Sequence, residues 1–123
     1  MTERKKTILI VDDSRLILDR LVVTLQKLKN TGPVHSTRTY AGALQLLESE
    51  PIDIAVFDIH LEDRSGIDLL RVTREHHPSV VVIMLTNQAN EQVEMTCKKL
   101  GAAWFLDKSN DFANILEIIS SIA

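Results

Sequence analysis

Asp12-Asp13, Asp58, Thr86 and Lys108 are the residues of this chain whose types and placement could do chemistry. They share one feature: each closely follows a short apolar run, Ile8–Val11, Ile54–Phe57, Val80–Leu85 or Ala103–Leu106. A single aspartate in such a place is more often a turn residue or a helix cap. Three carboxylates, a hydroxyl and an ammonium at successive run ends form a coherent chemical set. Carboxylates held close together resist ionising at once. A divalent cation, Mg2+ or Mn2+, relieves that repulsion, because such ions take oxygen ligands and Mg2+ keeps several waters. Asp12 and Asp13 suit the cation, Asp13 directly and Asp12 directly or through water. Asp58 is then free to attack phosphorus and form an acyl phosphate. The cation and Lys108 would neutralise charge on the transferring oxygens. Thr86 can donate a hydrogen bond to the phosphoryl group once it arrives.

Two kinds of segment alternate to position these groups. The apolar runs are rich in β-branched residues and continuous, as in strands buried on both faces of a parallel sheet. Val34–Thr37 is a weaker strand candidate. Helical spacing places Leu18, Leu21, Val22, Leu25 and Leu28 on one stripe between Ser14, a candidate cap, and Lys29. Shorter stripes follow: Ala43, Leu44 and Leu47 before Pro51, the stretch Ile67–His76 before Pro78, and Val93, Cys97 and Leu100 before Gly101, a candidate left-handed cap. Phe112, Ile115, Leu116, Ile119 and Ile122 make a fifth. The predicted fold class is α/β: a (βα)5 doubly wound, five-stranded parallel sheet with right-handed crossovers. In such sheets function gathers at the carboxyl ends of the strands, where the chemical set lies.

At 123 residues the chain is expected to be one domain over 1–123, with no output domain. Its formal net charge of −3 argues against a nucleic-acid-binding face. The apolar run behind the charged amino terminus is only Ile8–Val11, too short for a signal peptide or a membrane span. Cys97 is the only cysteine, which suits a reducing compartment. These features place the protein in the cytoplasm.

The segments ILIVDDSR, DIAVFDIHLEDRSGIDLL, VVVIMLTN and LGAAWFLDKS resemble the receiver domains of two-component response regulators, the CheY-like, flavodoxin-like family, over essentially the whole chain. The resemblance implies a phosphoacceptor module of a His-Asp phosphorelay, and a switch rather than an enzyme. It takes part only in its own phosphorylation and slow dephosphorylation. It makes Asp58 the acceptor and Asp12 and Asp13 the acidic pair. Lys108 becomes the family lysine, Thr86 the switch hydroxyl, Phe105 the switch aromatic, and the backbone carbonyl of His60 a metal ligand. Gly66 matches the glycine that opens the third helix. The implied partners are a histidine kinase or histidine phosphotransfer protein and a downstream protein target. That target would be reached through the fourth helix, fifth strand and fifth helix. The protein is expected to be a monomer or weak dimer.

Four positions depart from the family pattern. Ser109 follows Lys108 where a proline is usual, Glu62 replaces a common proline, and Asn87 replaces a small residue. Trp104 stands before Phe105 where a small or polar residue is frequent; it belongs either to the core or to an exposed patch with the last two helices. His60, Asn87 and Gln88 are expected to flank the phosphoryl group and tune its lifetime. His76-His77 and His35 carry no expected site role, and Cys97 lies on a core stripe. A nucleotide-binding α/β protein would have a Gly-rich cradle after the first strand, where Asp12-Asp13 stand instead. An aspartate-nucleophile phosphatase would place a second acid two residues after Asp58, at His60. A receiver-shaped module that is never phosphorylated would have no use for the complete set.

Overall fold

The computed structural model describes residues 5–87, 90–109 and 112–122. Five strands and five helices alternate: β1 (Lys6–Val11), α1 (Arg15–Leu25), β2 (Thr31–Thr37), α2 (Tyr40–Ser49), β3 (Ile54–Asp58), α3 (Gly66–His76), β4 (Val81–Thr86), α4 (Glu91–Lys99), β5 (Trp104–Asp107) and α5 (Phe112–Ile122). All strand pairings are parallel, in the order β2-β1-β3-β4-β5. The chain therefore reverses its direction of winding at β1, and the crevice between β1 and β3 is the switch point at which such sheets bind ligands.

The apolar runs are continuous because alternate residues serve two different cores. Leu9, Val11, Ala55, Phe57, Val82 and Met84 face a layer completed by α2, α3 and α4, with Ala43, Leu47, Leu69, Leu70 and Cys97. Ile8, Ile10, Ile54, Val56, Ile83 and Leu85 face Leu18, Leu21 and Leu25 of α1 and Ile115 and Ile119 of α5. The starts of α1, α2, α3 and α4 are each capped by the residue before them. Ser14 Oγ accepts Ile17 N–H at 3.3 Å, Thr39 Oγ1 accepts Gly42 N–H at 3.0 Å, Ser65 Oγ accepts Ile67 N–H at 3.1 Å, and Asn90 Oδ1 accepts Val93 N–H at 2.9 Å. Gly101 ends α4 at φ 106°, the left-handed conformation its place suggested.

Four elements have bounds that differ from the sequence reading. α1 stops at Leu25 rather than running to Lys29, because Leu28 N–H turns back to the Leu25 carbonyl at 3.1 Å. Leu28 still packs on the core from that turn. β2 begins at Thr31 rather than Val34; Thr31 pairs with Lys6, and its hydroxyl is tied to the Leu25 and Leu28 carbonyls. β4 and β5 each lie one residue later than expected, so that Thr86 and Asp107 are themselves paired strand residues.

Candidate functional site

The site is built from strand ends. Asp12 follows β1, its N–H bonded to the Thr37 carbonyl at 3.2 Å, and its Oδ1 accepts Ser14 N–H at 2.9 Å. Asp58 is the last residue of β3, paired with Leu85. Lys108 follows β5, and its N–H donates to the Thr86 carbonyl at 2.9 Å. These contacts hold the main chain from which each functional side chain projects. Asp12, Asp13 and Asp58 each present a carboxylate oxygen, all within 4.8 Å of one another. Lys108 Nζ lies 2.6 Å from Asp12 Oδ2 and 3.1 Å from Asp58 Oδ2.

Burial sets the electrostatics. Asp12 is 1% exposed, Asp58 4% and Lys108 8%. Burial first, and then the charge of Asp12, push the Asp58 carboxyl up to about 6, against the downward pull of Lys108. Burial alone would lower the Lys108 ammonium, but Asp12 and then Asp58 outweigh it and hold the group above the usual lysine range. Asp12 Oδ2 is buried, with the Lys108 ammonium against it. Three carboxylates converging within 4.8 Å, with a single ammonium to offset them, are a donor set that fits a hard divalent cation.

The remaining expected residues surround this centre. Asp13, Ser14, Ile17, Asp58, His60, Asn87 and Lys108 line one cleft, with the Asn87 and His60 side chains at its exposed rim. Thr86 is fully buried at the end of β4. Gln88 lies outside the described residues. His60 pairs with Ser65 across the loop, and Gly66 N–H donates to the Ile59 carbonyl at 2.6 Å. A Cβ on Gly66 would collide with the Asp58 carbonyl oxygen, so the loop can close this tightly only on glycine. Ser109 N–H donates to Asp107 Oδ1 at 2.7 Å, and the Lys108–Ser109 bond is trans.

Trp104 and Phe105, neighbours on β5, serve opposite layers. Phe105 packs half-buried on the layer that contains α4, and Trp104 on the layer that contains α5. Trp104 lines a groove with Leu106, Asn114, Glu117 and Ile118. Adjacent strand residues point to opposite faces, so Trp104 packs partly buried beside α5 while Phe105 turns toward α4, on either side of the edge strand β5.

Sequence reading passes over Arg38, at the end of β2. Its Nε donates to the Asp13 carbonyl at 3.1 Å, and its Nη2 meets Glu62 Oε1 at 2.9 Å. The available signal was position alone: Arg38 follows Thr37, the carboxyl end of the second strand candidate.

A model of the response regulator receiver domain matches residues 8–120. Response regulator protein PilR of Pseudomonas aeruginosa is 34% identical over 113 residues, which cover 92% of this chain and 25% of PilR. The photosynthetic apparatus regulatory protein RegA of Cereibacter sphaeroides is 28% identical over 106 residues, covering 86% of this chain and 56% of RegA. The chain thus spans between a quarter and little more than half of these relatives. The crystal structure of a CheY-like receiver domain protein from Methanospirillum hungatei superposes with a TM-score of 0.86 at 29% identity, over 97% of this chain and 94% of that one. No helix among the described residues is long and apolar enough to cross a membrane. With its sheet order, the residues gathered at the strand ends and these matches, the chain belongs to the response regulator receiver domains of two-component signalling.

Proposed function

We propose that Asp58 accepts a phosphoryl group from a phosphohistidine of a histidine kinase or phosphotransfer protein. The observation that carries the reading is the convergence of Asp12, Asp13 and Asp58 within 4.8 Å, with Lys108 in contact with two of them. An Asp58 carboxylate oxygen attacks phosphorus, the phosphorus–nitrogen bond breaks, and the donor imidazole leaves with its electron pair. The product is an acyl phosphate. Water attacking the same phosphorus later returns the carboxylate and inorganic phosphate.

Asp12, Asp13, Asp58 and the His60 carbonyl are the groups that would hold Mg2+ or Mn2+. The cation would draw negative charge from the phosphoryl oxygens and favour ionised Asp58. Lys108, already between Asp12 and Asp58, can follow the new charge on the phosphoryl oxygens. Thr86, at the neighbouring strand end, donates a hydrogen bond to that group. Phe105 pairs with Met84 and Thr86 with Asp107, two ladder positions apart and so on the same face of the sheet, and a pull on Thr86 alters the space open to Phe105. That coupling shifts a two-state equilibrium of the α4-β5-α5 surface, which meets the downstream protein. His60, Asn87 and Gln88 govern the access of water to the acyl phosphate. Cys97, a buried free thiol, suits a reducing cytoplasm.

The test is incubation with Mg2+ and a small-molecule phosphodonor, followed by intact mass. Wild type should gain one phosphoryl group and Asp58→Asn none. An unmodified wild type contradicts the reading, and equal modification of both proteins moves the site elsewhere.

A further inference from the structure

Arg38 joins two loops that the chemistry needs in register. One arm of its guanidinium bonds the Asp13 carbonyl in the β1–α1 loop, and the other bonds Glu62 in the β3–α3 loop, four residues after Asp58. The next two residues of the β3–α3 loop complete the fastening. The Asp63 carboxylate accepts Tyr40 N–H at 2.8 Å and Ala41 N–H at 3.1 Å, at the start of α2. The Arg64 guanidinium lies over the Tyr40 ring, 4.9 Å from its centroid. Residues 62, 63 and 64 thus each grip a partner between 38 and 41. Glu62 stands where receivers commonly have a proline, so a clasp between side chains replaces a restraint on the loop backbone.

Resting on the reading of the cation site given above, we propose that Arg38 is a positioning residue for that site: it fixes the main chain of Asp13, and so its carboxylate, against Asp58. The electrostatic expectation has the opposite sign. Arg38 is a fixed positive charge beside a site for a divalent cation, and by Coulomb's law alone its removal tightens binding. The guanidinium is a rigid fork whose two donors are set at a fixed angle, so it can hold two loops at once. Loss of the fork lets the Asp13 loop relax, and binding then weakens. The sign of the effect decides between the two.

The experiment titrates the whole protein with Mn2+ at neutral pH, counting free ion by electron paramagnetic resonance. Arg38→Met should weaken affinity roughly three- to tenfold, less than the ten- to hundredfold typical of partners that orient metal ligands, because Arg38 is 45% exposed. Arg38→Gln, a second neutral variant, must show the same sign, and thermal melting checks that both remain folded. Neutral variants that bind Mn2+ as tightly as wild type, or more tightly, overturn the proposal and leave the cation site standing. A wild type that binds no Mn2+ overturns the site and the role of Arg38 together.

Discussion

Replacing Asp58 by asparagine removes a charge from a place that resists it, while keeping the shape of the side chain. The Asp58 carboxyl is raised from 3.8 to about 6, chiefly by burial and then by Asp12. The unfolded chain ionises near the ordinary value, so ionising Asp58 works against folding. The sign follows from linkage: for a raised carboxyl, stability is fully present below pH 3.8 and is lost as pH rises through about 6. The shift corresponds to roughly 3 kcal/mol, at about 1.36 kcal/mol per pH unit. With divalent cations chelated, Asp58→Asn is therefore expected to be more stable than wild type by up to about 3 kcal/mol at pH 7.5. For a domain of this size that is an increase in melting temperature of about 10 °C. The advantage should shrink on acidification and vanish near pH 4, where wild-type Asp58 is protonated too. Saturating Mg2+ should narrow the gap at pH 7.5, because binding to the folded wild type stabilises it. Urea unfolding over a pH series, with chelator and with Mg2+, measures all three effects. A variant no more stable than wild type at pH 7.5, or an advantage that does not change with pH, refutes the reasoning.

Lys108→Met leaves Asp12 and Asp58 buried without their shared cation, so the Asp58 carboxyl should move further up and phosphorylation at neutral pH should fall sharply. Phosphorylation rates with a small donor, taken across pH, would show both. Gly66→Ala should cost roughly 1–3 kcal/mol by urea unfolding, because the added methyl meets main-chain atoms of Asp58 and Ile59 rather than a side chain that can swing aside. Asp63→Asn tests the bond to the start of α2. The Tyr40 and Ala41 N–H groups hold the exposed Asp63 carboxyl below its ordinary value. Its contribution should therefore be present at neutral pH and be lost as pH falls through that depressed value, and variant and wild type should converge in acid.

The legible part of the fold was the part buried on both faces. Ile8–Val11 and Ile54–Phe57 read as strands because neighbours flank them on both sides and helices cover both faces. β2 lies at the sheet edge and pairs only with β1, so Gly32 and Pro33 are tolerated there and its first half carries no apolar signal. The placing of Asp12, Asp13, Asp58, Thr86 and Lys108 at one edge was legible for a topological reason: parallel strands bring all their carboxyl ends to one side. The clasp of Arg38, Glu62 and Asp63 was not. It joins residues 22 to 25 positions apart through side chains, at distances no periodicity encodes. Trp104 was ambiguous because a four-residue strand is too short to reveal which core each of its faces serves.

The central claim is that Asp58 carries the phosphoryl group as an acyl phosphate. Borohydride reduces an acyl phosphate to the alcohol, so treatment after phosphorylation followed by peptide mapping names the residue directly. The account predicts homoserine at position 58 in wild type, dependent on divalent cation and on phosphodonor. Conversion at position 12 or 13, or a phosphoryl group that survives on a hydroxyl or imidazole while position 58 stays aspartate, would contradict it.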